Sequence, residues 1–104
     1  EELNRMVGGT GKPSNPGSLE FAVAAQQQTK DVLMQLSYLL RAIITDHAFE
    51  DYNKRTAALL LTTTFETLKI PYDPYGVDRL LERIARKRIR SVKAIRSMMR
   101  DVIR

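Results

Sequence analysis

The segment from His47 to Thr56, HAFEDYNKRT, gathers a base, two carboxylates, an amide and two cations between two apolar stretches. His47 is the only histidine of the chain, and histidine is the side chain most often used as a general base toward a hydroxyl group. Asp51 offers the carboxylate oxygens that Mg²⁺ takes together with substrate phosphates and water. Arg55, next to Lys54, can hold a phosphate through two parallel hydrogen bonds. The segment therefore indicates phosphate chemistry.

The apolar patterns on either side predict where these side chains lie. Between Val32 and Ile44, apolar residues recur at spacings of three and four, which predicts a long core helix. A second core helix is predicted from about Asn53 to Lys69. The segment is then a loop that runs into a helix N-terminus, where free backbone N–H groups and the helix dipole favour an anion. Two cations are unfavourable for the first turn itself, so they indicate a negatively charged ligand.

Each of these residues, taken singly, also has an ordinary structural interpretation. His47 is then a structural or surface histidine after a core helix. Asp51 and Asn53 are then helix caps, and Lys54 and Arg55 are solvated surface charges. Only their joint occurrence at fixed spacing favours a functional site.

The remaining elements are also predicted to be helical or loops. A loop rich in glycine and proline spans residues 8–17, and Ser18 and Thr29 are predicted to cap the two helices that follow. Residues 70–76 are predicted to form a turn. From about Asp78 the pattern predicts two helices, or one kinked helix, with Ser91 as a cap. We expect an all-α fold, a compact bundle of about five helices, with residues 1–104 forming one domain.

Composition limits the classes of protein. The chain has 104 residues and no cysteine, which excludes disulfides and thiolate metal sites and fits a reducing cytoplasm. No apolar run is long enough to span a membrane, and residues 1–5 do not look like a signal peptide. The chain does not open with Met, which leaves room for residues before Glu1. We expect a cytoplasmic protein.

The net charge of +5 is concentrated in one part of the chain. Residues 78–104 hold ten Lys/Arg and three acids, whereas residues 1–77 hold seven Lys/Arg and nine acids. The C-terminal quarter therefore carries +7 and the rest −2. Such a segment favours acidic proteins or nucleic acid as partners.

Residues 47–55 resemble the motif of the Fic/Doc family, H-x-F-x-(D/E)-G-N-(G/K)-R. Lys54 is an allowed choice, and five defined positions match: His47, Phe49, Asp51, Asn53 and Arg55. The run from Asn53 to Ala57, NKRTA, is typical of the Doc (death-on-curing) branch. Upstream, residues 11–22 loosely resemble a second Doc segment.

The resemblance implies a fold and a role for each residue. The fold would be the Fic-type helical bundle, and His47 would be the base that activates a target hydroxyl. Asp51 would bind Mg²⁺ on the phosphates of ATP or another nucleoside triphosphate. Asn53, Lys54 and Arg55 would hold those phosphates, and the loop 8–17 would lie where the family has its flap.

The activity implied is that of a Doc-like toxin. Such an enzyme moves a phosphoryl or AMP group to a hydroxyl side chain of a protein target, which for Doc is a translation factor. The family's inhibitory signature has no counterpart here, so restraint would come from an antitoxin in trans or from residues outside this sequence.

Tyr52 is the main departure, because the family has Gly, or Ala in Doc, at this position of the phosphate-binding turn. Its ring either narrows the anion site or points outward. The alternative function is a catalytically weakened Fic-fold protein that binds an acidic partner or nucleic acid through its basic C-terminal helices. A plain helical nucleic-acid binder is a third hypothesis, and it leaves His47 and Asp51 without a role.

Overall fold

A computed structural model describes all residues from Glu1 to Arg104 and contains six α-helices and no β-strand. The all-α prediction is therefore confirmed, with one helix more than the five expected. The helices are α1 (Glu2–Met6), α2 (Pro16–Gln26), α3 (Val32–Leu40), α4 (Asn53–Thr67), α5 (Pro74–Lys87) and α6 (Val92–Arg100). None of them combines the length and apolar character that a membrane span needs.

The core forms where α3, α4, α5 and α6 turn their apolar faces toward one another. Helix α3 packs against α2 and α6, and α4 packs against α1 and α5. The largest fully buried apolar side chains come from α3 to α6 and include Leu40, Leu61, Phe65, Ile84, Ile95 and Met99. The predicted spacing of apolar residues in the two core helices thus corresponds to the buried face, except that Leu68, predicted to be buried, follows the end of α4 and is exposed.

The predicted long helix changes its winding near its end. Helix α3 stops at Leu40, and the chain continues as a π-helical turn over Arg41–Thr45. Two buried isoleucines of that turn, Ile43 and Ile44, still pack in the core, as the pattern predicted. The π-helical turn ends at Thr45, two residues before His47, and so leads directly into the predicted site.

The two predicted N-caps of α2 and α3 were wrong. Helix α2 is capped by Asn15, whose side chain accepts a hydrogen bond from the backbone N–H of Ser18 at 3.3 Å. Pro16 then occupies the first helical position, where its fixed φ is favourable and its missing N–H costs nothing. Helix α3 is capped by Asp31, and Thr29 instead accepts a hydrogen bond from the Asp31 N–H.

The predicted turn over residues 70–76 is shorter than expected, because α5 begins at Pro74 and not near Asp78. Asp73 caps this helix, and Pro74 again occupies its first position. Gly76 therefore lies inside the helix, where it allows close packing: a Cβ there would come within 3.4 Å of Val102.

The predicted break between the last two helices is confirmed. Helix α5 ends at Lys87, and Arg88 adopts a left-handed conformation with φ of 49°. Ser91 caps α6 by accepting a hydrogen bond from the N–H of Ala94 at 3.1 Å, as predicted.

Candidate functional site

A pocket of about 370 Å³ opens at the N-terminus of α4 and brings most of the predicted site residues together. It is lined by Ile44, His47, Tyr52, Asn53, Lys54, Arg55 and Ala85. Five of the six predicted site residues are therefore in one pocket, and only Asp51 is not part of its lining. Ile44 and Ala85 supply the apolar part of the wall, which sequence reasoning did not assign to the site.

Two residues of this pocket have strained backbone conformations. His47 has φ of 50° and Tyr52 has φ of 61°, in the left-handed region that costs an L-residue about 1–2 kcal/mol. Neighbouring groups hold both in place. The Ser14 hydroxyl donates to the His47 carbonyl at 2.8 Å, and the Tyr52 carbonyl accepts from the N–H and the hydroxyl of Thr56.

The side chain of Asn53 ties the start of α4 back to Phe49 in the preceding loop. Its Oδ1 accepts from the backbone N–H of Phe49 at 3.0 Å, and its Nδ2 donates to the Phe49 carbonyl at 2.9 Å. Phe49 is 2% exposed and anchors the loop in the core. The Asn53 side chain is thus held inside the loop by two hydrogen bonds, and its backbone N–H has no acceptor in the chain.

The first turn of α4 has free backbone N–H groups. Tyr52, at the cap position, supplies no side-chain hydrogen bond, whereas α2, α3, α5 and α6 are each capped by a side chain. The N–H groups of Asn53, Lys54 and Arg55 find no acceptor within the chain. Free N–H groups and the helix dipole together favour an anion at this end of α4.

The two cations of this turn each have a partner at the rim of the pocket. Lys54 Nζ lies 2.6 Å from Glu82 Oε2 on α5, and this hydrogen bond holds the pKa of Glu82 below its ordinary value. The Arg55 guanidinium carbon lies 5.1 Å from the centre of the Tyr52 ring. Because the Lys54 and Glu82 side chains are 57% and 53% exposed, water weakens the ion pair and a phosphate can compete for Lys54.

Asp51 is exposed, and its carboxylate makes no hydrogen bond or ion pair in the chain. Only its backbone carbonyl is used, as an acceptor for Asn4 Nδ2 at 2.9 Å. The chain has no group of three or more His, Cys, Asp or Glu side chains that could hold a metal ion. A metal at Asp51 would therefore take its remaining oxygen ligands from a substrate and from water.

Asn4 was missed by sequence reasoning, although it connects the N-terminal segment to the site. It is 1% exposed and donates from Nδ2 to the Asp51 carbonyl and to Thr56 Oγ1, at 2.9 and 3.1 Å. Its Oδ1 accepts from the N–H of Gly11 at 2.9 Å. Nothing in the pattern of residues 1–7 distinguishes this buried asparagine from a surface one.

Asp46, directly before His47, was also missed. Its carboxylate is bound by the Ser18 hydroxyl and by the Arg90 guanidinium, and so connects α2 with the segment between α5 and α6. Burial alone would raise the pKa of Asp46, but the hydrogen bonds from Ser18 and Arg90 and the charge of Arg41 outweigh it and lower the pKa. Its position beside the only histidine was the available signal.

A larger groove of about 660 Å³ lies between α5 and α6 and contains none of the predicted site residues. Three arginines, Arg79, Arg83 and Arg86, and three carboxylates, Asp78, Glu82 and Asp101, are among its lining residues. Because these charges cancel, the groove is less suited to a phosphate than the smaller pocket at α4, where both charged lining residues are cations.

Comparison of the chain with protein-family models, with curated proteins and with solved structures gave no match. The resemblance of residues 47–55 to the Fic/Doc motif therefore stays a prediction. Its support comes from the pocket itself, in which residues named from the motif lie together.

Proposed function

We propose that this protein is a transferase of the Fic/Doc type. It moves a phosphoryl or AMP group from a nucleoside triphosphate such as ATP to a hydroxyl side chain of a protein target. One observation carries the proposal: His47 shares a pocket with an uncapped helix N-terminus that also presents Lys54 and Arg55. A base and a phosphate-binding turn at one place are what such a transfer requires.

Phosphates bind in this proposal at the first turn of α4. The N–H groups of Asn53, Lys54 and Arg55 donate hydrogen bonds to phosphate oxygens, and the two cationic side chains neutralise the charge. Lys54 exchanges its partner Glu82 for a phosphate oxygen. Arg55 can bind a phosphate with two parallel hydrogen bonds while its guanidinium stays near the Tyr52 ring.

His47 acts as the general base. Its exposed imidazole accepts the proton of the target hydroxyl as that oxygen attacks phosphorus. A new bond forms between the target oxygen and phosphorus while a P–O bond of the nucleotide breaks. With ATP the leaving group is ADP in phosphoryl transfer and pyrophosphate in AMP transfer. Asp46 precedes His47, and its carboxylate accepts hydrogen bonds from Ser18 and Arg90. These bonds fix the backbone at Asp46 and so position His47.

In this proposal Mg²⁺ has one protein ligand, Asp51, which lies beside the pocket and not in its lining. Mg²⁺ is commonly held by one or two carboxylates together with substrate phosphates and water, and the Asp51 carboxylate has no competing partner in the chain. When bound, the ion would supply positive charge against the developing charge on the phosphate oxygens. Asp51 lies on the same loop as His47 and directly before Tyr52.

Tyr52 is compatible with this function, but its side chain limits access to the phosphate-binding turn. The backbone at this position is left-handed, which explains why glycine would be the natural residue there. The Tyr52 ring is 42% exposed, and it lies over Arg55 and against Gly8. We expect the ring to restrict access to Arg55, so that a smaller residue gives a faster enzyme.

The experiment is to incubate the protein with cell lysate, Mg²⁺ and ATP labelled at either the α or the γ phosphate. Label from the α position on a protein band indicates AMP transfer, and label from the γ position indicates phosphoryl transfer. His47→Ala should abolish the label, and Asp51→Asn should reduce it strongly. Lys30→Ala is the matched control, because Lys30 is an exposed cation that does not line the pocket, and it should leave the label unchanged.

An absence of label from both positions, in the protein and in Tyr52→Gly alike, would refute the transferase proposal. The alternative is then a Fic-fold protein that works by binding alone.

If the protein is active, its restraint in cells comes from an antitoxin in trans, and co-expression with that antitoxin should suppress the label. The target, in this reading, is a protein of the translation machinery.

A further inference from the structure

The last turn of α5, all of α6 and the residues that join them carry positive charges and contain no acidic residue. Residues 83–100 contain eight Lys/Arg and no Asp or Glu. Two of these cations are paired with carboxylates of other elements, Arg90 with Asp46 and Arg96 with Asp31. The other six are exposed and have no carboxylate at salt-bridge distance: Arg83, Arg86, Lys87, Arg88, Lys93 and Arg100. We call these six residues the cationic corner.

The fold brings members of this set close together. Helix α5 ends at Lys87, and only four residues separate it from the start of α6 at Val92. Lys87 and Arg88 lie on one side of this short connection, and Lys93 lies in the first turn of α6 on the other side. Lys87, Arg88 and Lys93 therefore meet at one end of the molecule, with Arg83 and Arg86 in the preceding turn of α5 and Arg100 at the far end of α6.

Folding does not explain this arrangement. Arg83 and Lys87 are four residues apart on α5, where like charges repel each other across one helical turn. The helix dipole favours Arg86 and Lys87 at the C-terminus of α5, but it disfavours Lys93 in the first turn of α6. The repulsion between neighbouring cations at this connection therefore opposes the folded state, and a polyanion would relieve it.

We propose that the cationic corner binds the sugar-phosphate backbone of double-stranded nucleic acid. The choice of a duplex over a single strand follows from composition, because residues 76–104 contain no aromatic side chain on which a base could stack. Six flexible cations without an apolar centre suit a regular row of phosphates better than a protein surface. The binding is independent of sequence, and it does not depend on the proposed transferase activity.

The test is fluorescence anisotropy of a labelled duplex of about 20 base pairs over a range of salt concentrations. If all six cations contact phosphates, the slope of log K against log salt should approach about −5. The variant Lys87→Gln/Arg88→Gln/Lys93→Gln should make this slope shallower by about 2.7 and raise Kd at least about tenfold at ~0.1 M salt.

A matched control removes the same charge elsewhere. Lys12→Gln/Lys30→Gln/Lys69→Gln also lowers the net charge from +5 to +2, and these three lysines are exposed and unpaired. This variant should keep the slope and Kd close to those of the wild type. Circular dichroism of both variants confirms that they are folded.

Several results would overturn the proposal. They are an absence of duplex binding at about 50 mM salt, equal losses in the two triple variants, and tighter binding of a single strand than of the duplex. Binding of polyglutamate as tightly as of the duplex would assign the corner to an acidic protein instead. Failure of the transferase assay has no bearing on any of these outcomes.

Discussion

Replacing Asn4 by alanine should loosen the candidate site although this residue lies outside the pocket. Asn4 is buried and makes three side-chain hydrogen bonds, to Asp51, Thr56 and Gly11. Helix α1 has only five residues and is too short to be stable alone, so its attachment depends on such contacts. The prediction therefore concerns both global stability and the order of the loop.

The magnitude follows from the hydrogen bonds that are lost. Each contributes about 1 kcal/mol net, and a buried polar group that loses its partner costs about 1–3 kcal/mol. Water that enters the space left by the side chain can donate to the Asp51 carbonyl, which offsets part of this free-energy cost. We expect the free energy of unfolding to fall by about 3 kcal/mol and the melting temperature by roughly 12–24 °C.

Urea denaturation measures the loss of global stability, and amide hydrogen exchange measures the loss of order in the loop. The N–H of Gly11 loses its acceptor and should exchange much faster in Asn4→Ala, as should the amides around Asp51. Gln27→Ala removes an exposed amide that makes no side-chain hydrogen bond and should change stability by less than about 0.5 kcal/mol. If Asn4→Ala behaves like Gln27→Ala and Gly11 keeps its protection, Asn4 does not hold the loop.

Three further predictions concern residues in or beside the pocket. Asp46→Asn should lower the free energy of unfolding at pH 7. Because the folded state lowers the pKa of Asp46, the stabilisation by its carboxylate is lost in acid. The difference in unfolding free energy between wild type and variant, measured by urea titration, should therefore shrink as the pH falls through about 4 and below. Tyr52→Gly should be more stable than Tyr52→Ala by about 1 kcal/mol in urea, since only glycine relieves the left-handed backbone, and equal stabilities would argue against strain there. Glu82→Gln should free Lys54 and tighten binding of inorganic phosphate severalfold by calorimetry without moving the urea midpoint; unchanged phosphate binding would show that Lys54 is not a ligand.

Most of the fold could be predicted because its signals are local. The apolar spacing of the core helices and the break before Ser91 both follow from side chains close in sequence. Helix starts were less predictable when two candidate caps competed. Asn15 lies one residue before a proline and therefore caps α2 in place of Ser18, while Asp73 plays the same part before Pro74.

The site was predictable to the extent that it is continuous in sequence. The continuous segment from His47 to Arg55, a loop followed by the first turn of α4, supplies most of the pocket, so its residues could be named before their geometry was known. Asn4 and Asp46 could not be assigned in this way. Apart from the bond between Asn4 and Gly11, their side-chain contacts are with residues at least 28 positions away, and no local pattern encodes such a contact.

The backbone of the loop connects these observations. His47 and Tyr52, at the two ends of the candidate site, are both non-glycine residues in left-handed conformations, and such strain persists only where the surroundings fix it. The fixing groups come from outside the loop, from Ser14 to the His47 carbonyl and from Thr56 to the Tyr52 carbonyl. The left-handed turn at Tyr52 directly precedes α4, and because Tyr52 supplies no capping side chain, the N–H groups of the first turn stay free. An anion that binds there as proposed should therefore stabilise this loop more than any other part of the chain.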